Sequence, residues 1–284
     1  MSTRGFYITE KDIGKFKRYL QERENAPATV EKYTRDIRTF IQYAGEHQGV
    51  DKGKILEYKQ WLMEHYAVSS ANSMLVSLNQ FLICIGKGIF RVRRIKVQRC
   101  DALHMSKNLD KKEFQRLVKM ARACGKQQTA MIMETICATG IRVSELKYFR
   151  VENLKSGMIR VWNKGKYRIV LIPENLRKKL LIYAGKQKIR SGIIFRTKSG
   201  REKNRSNIWR EMKNVAKDAG VKLEKVFPHN LRHLFARTFY KLTKNLINLA
   251  DILGHSSIEV IRIYTSGGIQ EWKRDLNRIK LIDD

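Results

Sequence analysis

The sequence predicts an α+β chain in two domains, mainly α-helical with one small antiparallel β-sheet. Three observations carry this prediction. Apolar residues recur every three to four positions through most of the 284 residues, the period of amphipathic helices. Two neighbouring segments alternate instead, Met158–Trp162 and Tyr167–Ile172, and Asn163-Lys164-Gly165-Lys166 joins them as a tight hairpin. Between the two sets of helices, residues 91–108 have little helical periodicity and are rich in cations (Arg91, Arg93, Arg94, Lys96, Arg99), which marks an interdomain linker. The predicted boundaries are a helical first domain at 1–95, a linker at 96–107 and a second domain at 108–284. The chain is long enough for each domain to bury a core of its own.

The first domain opens with Thr9-Glu10-Lys11-Asp12, a capping-box pattern, after which Ile13, Phe16, Tyr19 and Leu20 share one face. Pro27 starts a second helix, with Val30, Tyr33, Ile37, Phe40, Ile41 and Ala44 inward and Gly45 at its end. A third runs from about Asp51 through Ile55, Leu56, Trp61 and Leu62. A fourth begins near Ser69 or Ser70 and carries Met74, Leu75, Leu78, Phe81 and Leu82. Lys32, Arg35 and Arg38 are left on an outer face, either solvated or lining a groove. In the second domain Asp110-Lys111-Lys112-Glu113 repeats the capping box ahead of Phe114, Leu117 and Val118. A helix over 127–138, apolar along one side (Met131, Ile132, Ile136, Cys137), stops at Ala138-Thr139-Gly140, and a new helix begins with Arg142 and Glu145. After the hairpin, helices are predicted at about 174–188, 204–219, 230–242, 245–253 and 256–263. A last amphipathic helix over 269–281 presents Ile269, Trp272, Leu276 and Ile279 beyond Gly267-Gly268.

The net charge is +31, of which residues 1–100 contribute +8 and residues 101–284 contribute +23. Solubility alone needs a far smaller charge, and self-repulsion makes this one costly. A polyanionic partner that releases counterions accounts for it better, and nucleic acid is the commonest. No stretch has the length and apolarity of a membrane span or the layout of a signal peptide, so no membrane partner is expected. Cys84, Cys100, Cys124 and Cys137 show neither paired nor metal-ligand spacing and read as reduced thiols of a cytoplasmic protein. With no acidic cluster, no phosphate-cradling glycine loop and no zinc pattern, the predicted chemistry uses neither metal nor cofactor.

The segments Pro228-His229-Asn230-Leu231-Arg232-His233 and Leu253-Gly254-His255, followed by Tyr264, carry that chemistry. Phosphoryl transfer needs a placed oxygen nucleophile, donors around the equatorial phosphate oxygens and an acid for the leaving oxygen. Tyrosine supplies the first; Arg, His and Lys supply the rest. His229 and Arg232 lie at i and i+3, on one helix face, whereas His233 points elsewhere and reads as structural. Arg142 offers a guanidinium fork that lysine cannot match, with Glu145 three residues on to orient it. Each residue has a plainer alternative. Arg142 is solvated, or His229 and His255 only cap helices, or Lys164 is an ordinary hairpin lysine, or Tyr264 packs among Ile258, Ile261 and Ile263.

Taken in order, Ala138-Thr139-Gly140-Ile141-Arg142-Val143-Ser144-Glu145-Leu146, the Lys164 hairpin, His229-Asn230-Leu231-Arg232-His233, Leu253-Gly254-His255 and Ile263-Tyr264 resemble the tyrosine recombinase (integrase) family, phage, transposon and Xer-type members included. The resemblance covers about 108–264, and the four helices of 9–86 are similar to the family's core-binding domain. It implies a C-shaped clamp on double-stranded DNA and a site-specific recombinase that works through a 3′-phosphotyrosine at Tyr264. It assigns Arg142, His229, Arg232 and His255 to the phosphate and Lys164 to the leaving 5′ oxygen, with Lys166 as the alternative acid. It further implies a homotetramer on paired sites, exchanging strands through a Holliday junction for integration, excision or resolution, with an accessory DNA-bending factor among the partners it allows. The C-terminal helix would dock on a neighbouring protomer, and an extra N-terminal arm-site domain is expected to be absent. One departure stands out: Ile261 stands where a Thr often precedes the tyrosine by three residues. At the place of His255 some members carry Trp, which implies an assisting role for His255.

Two other classes compete. A type IB topoisomerase shares the chemistry but relaxes DNA as a monomer, and the chain's length and helical first domain disfavour it. A non-catalytic DNA-binding protein on the same fold is disfavoured by the intact set Arg142, Lys164, His229, Arg232, His255 and Tyr264.

Overall fold

The computed structural model describes residues 5–45, 48–96, 108–163 and 166–254, the side chains of 163 and 166 excepted. Lys164, His255, Tyr264 and the helices expected at 256–263 and 269–281 lie outside the described residues. The chain divides into two units, Met1–Arg99 and Cys100–Asp284.

Among the described residues of the first unit, four α-helices form: α1 (Glu10–Glu22), α2 (Pro27–Ala44), α3 (Lys52–His65) and α4 (Val68–Cys84). The Thr9–Asp12 capping box starts α1, and Asp51 caps α3 by accepting from the Lys54 N–H at 2.8 Å. Helix α4 starts slightly earlier than expected, at Val68. Phe16, Phe40, Tyr58 and Phe81 are fully buried, with Phe16 edge-on to Phe81 at 5.3 Å and Phe40 edge-on to Tyr58 at 4.9 Å. Burying such a side chain contributes about 1.5–3 kcal/mol. Leu56, which the sequence puts in the third helix, is exposed. Asp36, buried on α2, accepts from Ser77 Oγ of α4 at 2.6 Å and pairs with Lys32. This gives Lys32 a local partner on the otherwise basic face.

The chain leaving this unit is strapped to α4. Asn79 donates to the Val92 carbonyl at 2.8 Å and accepts from the Val92 N–H at 2.9 Å. Asn72, two turns earlier on α4, does the same for Ile95, at 3.0 and 2.7 Å. Each carboxamide stands in for a strand's peptide group. The basic run thus begins as a held, extended segment, with Arg91, Arg93, Arg94 and Lys96 exposed.

The second unit opens with α5 (Lys111–Ala123), capped reciprocally by Asp110 and Glu113, and α6 (Gln127–Thr139). Instead of the α-helix expected from Arg142, a 3-10 helix forms at Val143–Tyr148, and a short α7 (Val151–Ser156) follows unforeseen. Its six residues bury only Leu154, too little periodicity to register. Strands β1 (Met158–Asn163) and β2 (Lys166–Leu171) pair antiparallel, with Ile159 opposite Val170 and Val161 opposite Arg168. That register puts Ile159, Val161, Arg168 and Val170 on the inward face and leaves Trp162, Tyr167, Ile169 and Leu171 outward. Helices α8 (Glu174–Lys186), α9 (Arg205–Asp218), α10 (Pro228–Thr243) and α11 (Leu246–Leu253) complete the described residues. Helix α10 begins two residues before its expected start because Pro228 presets the first helical φ. Helix α6 lies at the centre of this unit's core, with Ala130, Ile132, Met133 and Ile136 fully buried. No described helix is long and apolar enough to cross a membrane.

Candidate active site

The site starts where α6 ends. Gly140 closes the helix in the left-handed region, with φ at +65°, and its N–H returns to the Ile136 carbonyl. A Cβ there would lie 2.5 Å from the Phe235 ring and 2.8 Å from Leu253, so both backbone conformation and space require glycine. The turn buries Ile141 and delivers Arg142 to the rim of a cavity of about 700 Å³. Arg142 precedes the 3-10 helix, and Glu145 on that helix accepts both its main-chain N–H, at 2.8 Å, and its Nη1, at 3.1 Å. Glu145 therefore orients Arg142, as the spacing predicts, and caps the turn as well.

Arg168 joins the same carboxylate from the inward face of β2. Its Nη2 donates to Glu145 Oε2 at 2.5 Å and its Nη1 to the Ile252 carbonyl at 2.6 Å. Burial lowers the Arg168 pKa, and Glu145 opposes that shift. Arg232 of α10 is buried too, with Nη1 on the Gly140 carbonyl at 2.5 Å and Nη2 on the Leu253 carbonyl at 2.7 Å.

His229, one turn before Arg232, lines the same cavity as Arg142, and Arg205 and Trp209 of α9 line it too. It is the second residue of α10, so it does not cap that helix. Its side chain is exposed, while the surrounding groups partly desolvate the ring. Partial desolvation, then the cations Arg232, Arg142 and Arg205, lower its pKa below the ordinary value, leaving it neutral near pH 7. The His233 ring meets it edge-on at 4.4 Å, so His233 packs against His229 and does not point elsewhere as expected.

Three of the six expected residues, Arg142, His229 and Arg232, thus converge on one cleft. The other three, Lys164, His255 and Tyr264, lie outside the described residues. The described ends that lead to them nevertheless converge: β2, which leaves the Lys164 hairpin, meets Glu145, and the last turn of α11, which precedes His255, meets both Arg168 and Arg232. Sequence reasoning missed Arg168 and Arg205. Arg168 had a readable signal, a charge at an inward register position of a half-buried strand; Arg205, at the first turn of α9, had none.

The cleft of guanidinium and imidazole donors suits an anion such as a phosphodiester. A family model described as "Phage integrase family" matches residues 107–269, more than half of the chain.

The chain belongs to this family of tyrosine recombinases.

A second model, "Phage integrase, N-terminal SAM-like domain", matches residues 13–84, the four-helix region of this recombinase. It is 27% identical over 279 residues to the tyrosine recombinase XerD of Vibrio cholerae, covering 89% of this chain and 90% of that one. It is 26% identical over 281 residues to XerA of Thermococcus kodakarensis, with 95% and 96% covered. Among solved structures, a lambda integrase dimer bound to a COC′ core site superposes with a TM-score of 0.72 at 17% identity, covering 91% of this chain and 95% of that chain. XerH bound to its difH substrate does so with 0.67 at 19%, covering 95% and 84%. At such identity these structures speak for the fold, mainly α with a small antiparallel sheet. The relatives are recombinases, which favours site-specific recombination over a topoisomerase or a silent DNA-binding protein.

Proposed function

We propose that this recombinase cleaves and rejoins double-stranded DNA at specific sites through Tyr264. The Tyr264 phenol gives up its proton to solvent, its phenolate favoured by the nearby cations His255, Arg142 and Arg232, and the phenolate oxygen attacks the scissile phosphorus. The 5′ oxygen leaves with a proton from Lys164 (Lys166 being the alternative acid), and the 3′-phosphotyrosine conserves the bond energy. An incoming 5′ hydroxyl reverses the step, so no nucleotide is consumed. Arg142, His229, Arg232 and His255 donate to the phosphate oxygens. The observation that carries this reading is the Arg142 guanidinium, held by a buried carboxylate at the rim of a cleft that it shares with His229 and Arg232.

The two units, on either side of a basic linker at 96–107, are read as a clamp closed around the duplex. Four protomers on paired sites would exchange strands for integration, excision or resolution, with the 269–281 helix docking in trans. Its place of action is nucleoid DNA in the cytoplasm, with an accessory bending protein as an optional partner.

The test is a nicked suicide duplex resolved on a denaturing gel. Wild-type protein should give a slow-migrating covalent band that Tyr264→Phe abolishes while still binding the duplex. A band that persists in Tyr264→Phe would move the nucleophile elsewhere. Plasmid relaxation without recombinant product would favour the topoisomerase reading.

A further inference from the structure

The last turn of α11 is held by two arginines from different elements. Arg168 of β2 donates to the Ile252 carbonyl, and Arg232 of α10 donates to the next carbonyl, Leu253. These carbonyls are among the groups that a helix end leaves without intrahelical partners, and the negative end of the helix dipole favours the cations. Arg232 spends its other Nη on the Gly140 turn. Arg168 spends its own on Glu145, the carboxylate that orients Arg142. Gly254 then ends α11 with φ at +62°, and a Cβ at that position would collide with Arg168 Cδ and lie 3.0 Å from its Nε. The bare glycine therefore makes room for the Arg168 side chain as well as turning the chain.

These contacts place Arg168 at a junction. Its strand is the one that leaves the Lys164 hairpin, its carboxylate partner is the one that aims Arg142, and its carbonyl partner lies three residues before His255. A fold stabiliser need not bridge these three. A lysine ammonium is a compact point charge whose donors have no fixed fork, whereas the planar guanidinium holds two acceptors at a fixed angle.

We propose that Arg168, seated against Gly254, is a positioning residue for strand cleavage, setting the β2 strand and the end of α11 in register against the Glu145–Arg142 pair. The role rests on the recombinase reading above, since the groups it aligns are those assigned to the phosphate and the leaving oxygen. It touches no reacting atom itself.

The test uses the full chain and two readouts. In single-turnover cleavage of the suicide duplex, Arg168→Gln, which keeps the stem and loses the fork, should form adduct at least tenfold more slowly. Its Kd for the same duplex should stay within threefold, and Arg168→Lys should not restore the rate. Cleavage at the wild-type rate by Arg168→Gln, or equal losses in binding and cleavage, would overturn the proposal. The second readout is a thermal cycle of Gly254→Ala, Arg168→Ala and the double variant. The strain of a left-handed alanine is present in both backgrounds, so the clash with Arg168 is what the cycle isolates. Gly254→Ala should lower Tm in the wild-type background by at least about 3 °C more than in the Arg168→Ala background. Additive shifts would remove the seating argument. If Arg168→Ala fails to fold, Arg168→Val, which also lacks a Cδ and suits a strand, takes its place in the cycle. If wild-type protein gives no adduct at all, the recombinase reading fails, and the thermal cycle alone decides whether Arg168 and Gly254 are coupled.

Discussion

Glu145 holds Arg142 by two atoms at once, taking its main-chain N–H on Oε2 and its Nη1 on Oε1, while itself being almost fully buried. A carboxylate so placed fixes both the turn and the direction of the guanidinium. Glu145→Gln keeps the shape but leaves the largely covered Arg168 without its counter-charge. Breaking a buried pair by removing one partner costs about 3–5 kcal/mol. The value here should fall toward the low end, because Arg142 is partly exposed. Urea unfolding of the variant should show that loss, and adduct formation should fall more steeply than DNA affinity. Wild-type stability in Glu145→Gln would mean that the carboxylate is dispensable to the turn.

His229 gives a pH signature with a definite sign. Its folded pKa is lowered by desolvation and by Arg232, Arg142 and Arg205, so the unfolded chain binds the proton more readily. Stability should be fully present above the ordinary histidine pKa of about 6.5 and decline as pH falls from there toward the lowered folded value. His229→Gln should flatten that part of the stability–pH curve. DNA should act in the opposite sense, because a phosphodiester in the cleft favours the imidazolium. Binding is therefore expected to take up a proton at pH below the ordinary histidine pKa in wild type and not in His229→Gln, as read by calorimetry in buffers of different ionisation enthalpy. Equal proton uptake by both proteins would show that His229 does not face the phosphate.

The helices were legible where one face was buried and a local signal marked the end. The capping boxes at Thr9 and Asp110, Pro27 and Gly140 placed α1, α5, α2 and the end of α6 directly. Legibility failed where the determinant is tertiary. The residues after Gly140 form a 3-10 helix, with Arg142 held at its start by the Glu145 carboxylate. At the site, Arg142, His229 and Arg232 were readable as residue types at helical spacing. Their partners were not: Arg168 reaches Ile252 across 84 residues of sequence, and Arg232 reaches Gly140 across 92, distances at which no local pattern speaks.

Salt should weaken DNA binding steeply, given a net charge of +31. If roughly 6–10 phosphates are neutralised, affinity between 50 and 200 mM salt should fall by about 10³–10⁵. A near-flat response in a fluorescence-anisotropy titration would remove the electrostatic argument.

The asparagine straps make a separate prediction about the basic run. Asn72 and Asn79 each make two hydrogen bonds to the main chain of Ile95 and Val92, and such bonds contribute about 1 kcal/mol apiece. Asn72→Ala/Asn79→Ala should raise the hydrogen-exchange rates of the Val92 and Ile95 amides and lower the stability of the first unit. Loosening the segment adds an ordering cost to any partner that uses Arg91, Arg93, Arg94 and Lys96, so affinity for duplex DNA should drop several-fold. Unchanged exchange at those two amides would show that the straps do not hold the segment in solution.

The assignment of the general acid separates two lysines only two residues apart. Protonating the leaving 5′ oxygen matters because an alkoxide is a poor leaving group at neutral pH, whereas a thiolate leaves without a proton. Lys164→Ala should therefore lose cleavage of ordinary DNA and recover it on a duplex carrying a 5′-bridging phosphorothiolate at the scissile position. Lys166→Ala should cleave both substrates at rates near wild type. Arg232→Ala should fail on both, since its donors are assigned to phosphate oxygens that the sulfur does not replace, and loss of the buried Gly140 and Leu253 contacts adds a stability defect visible by melting. Single-turnover rates on the two duplexes decide the matter. Recovery by Lys166→Ala in place of Lys164→Ala would move the acid two residues along the hairpin, and recovery by neither would take the proton donor off the hairpin altogether.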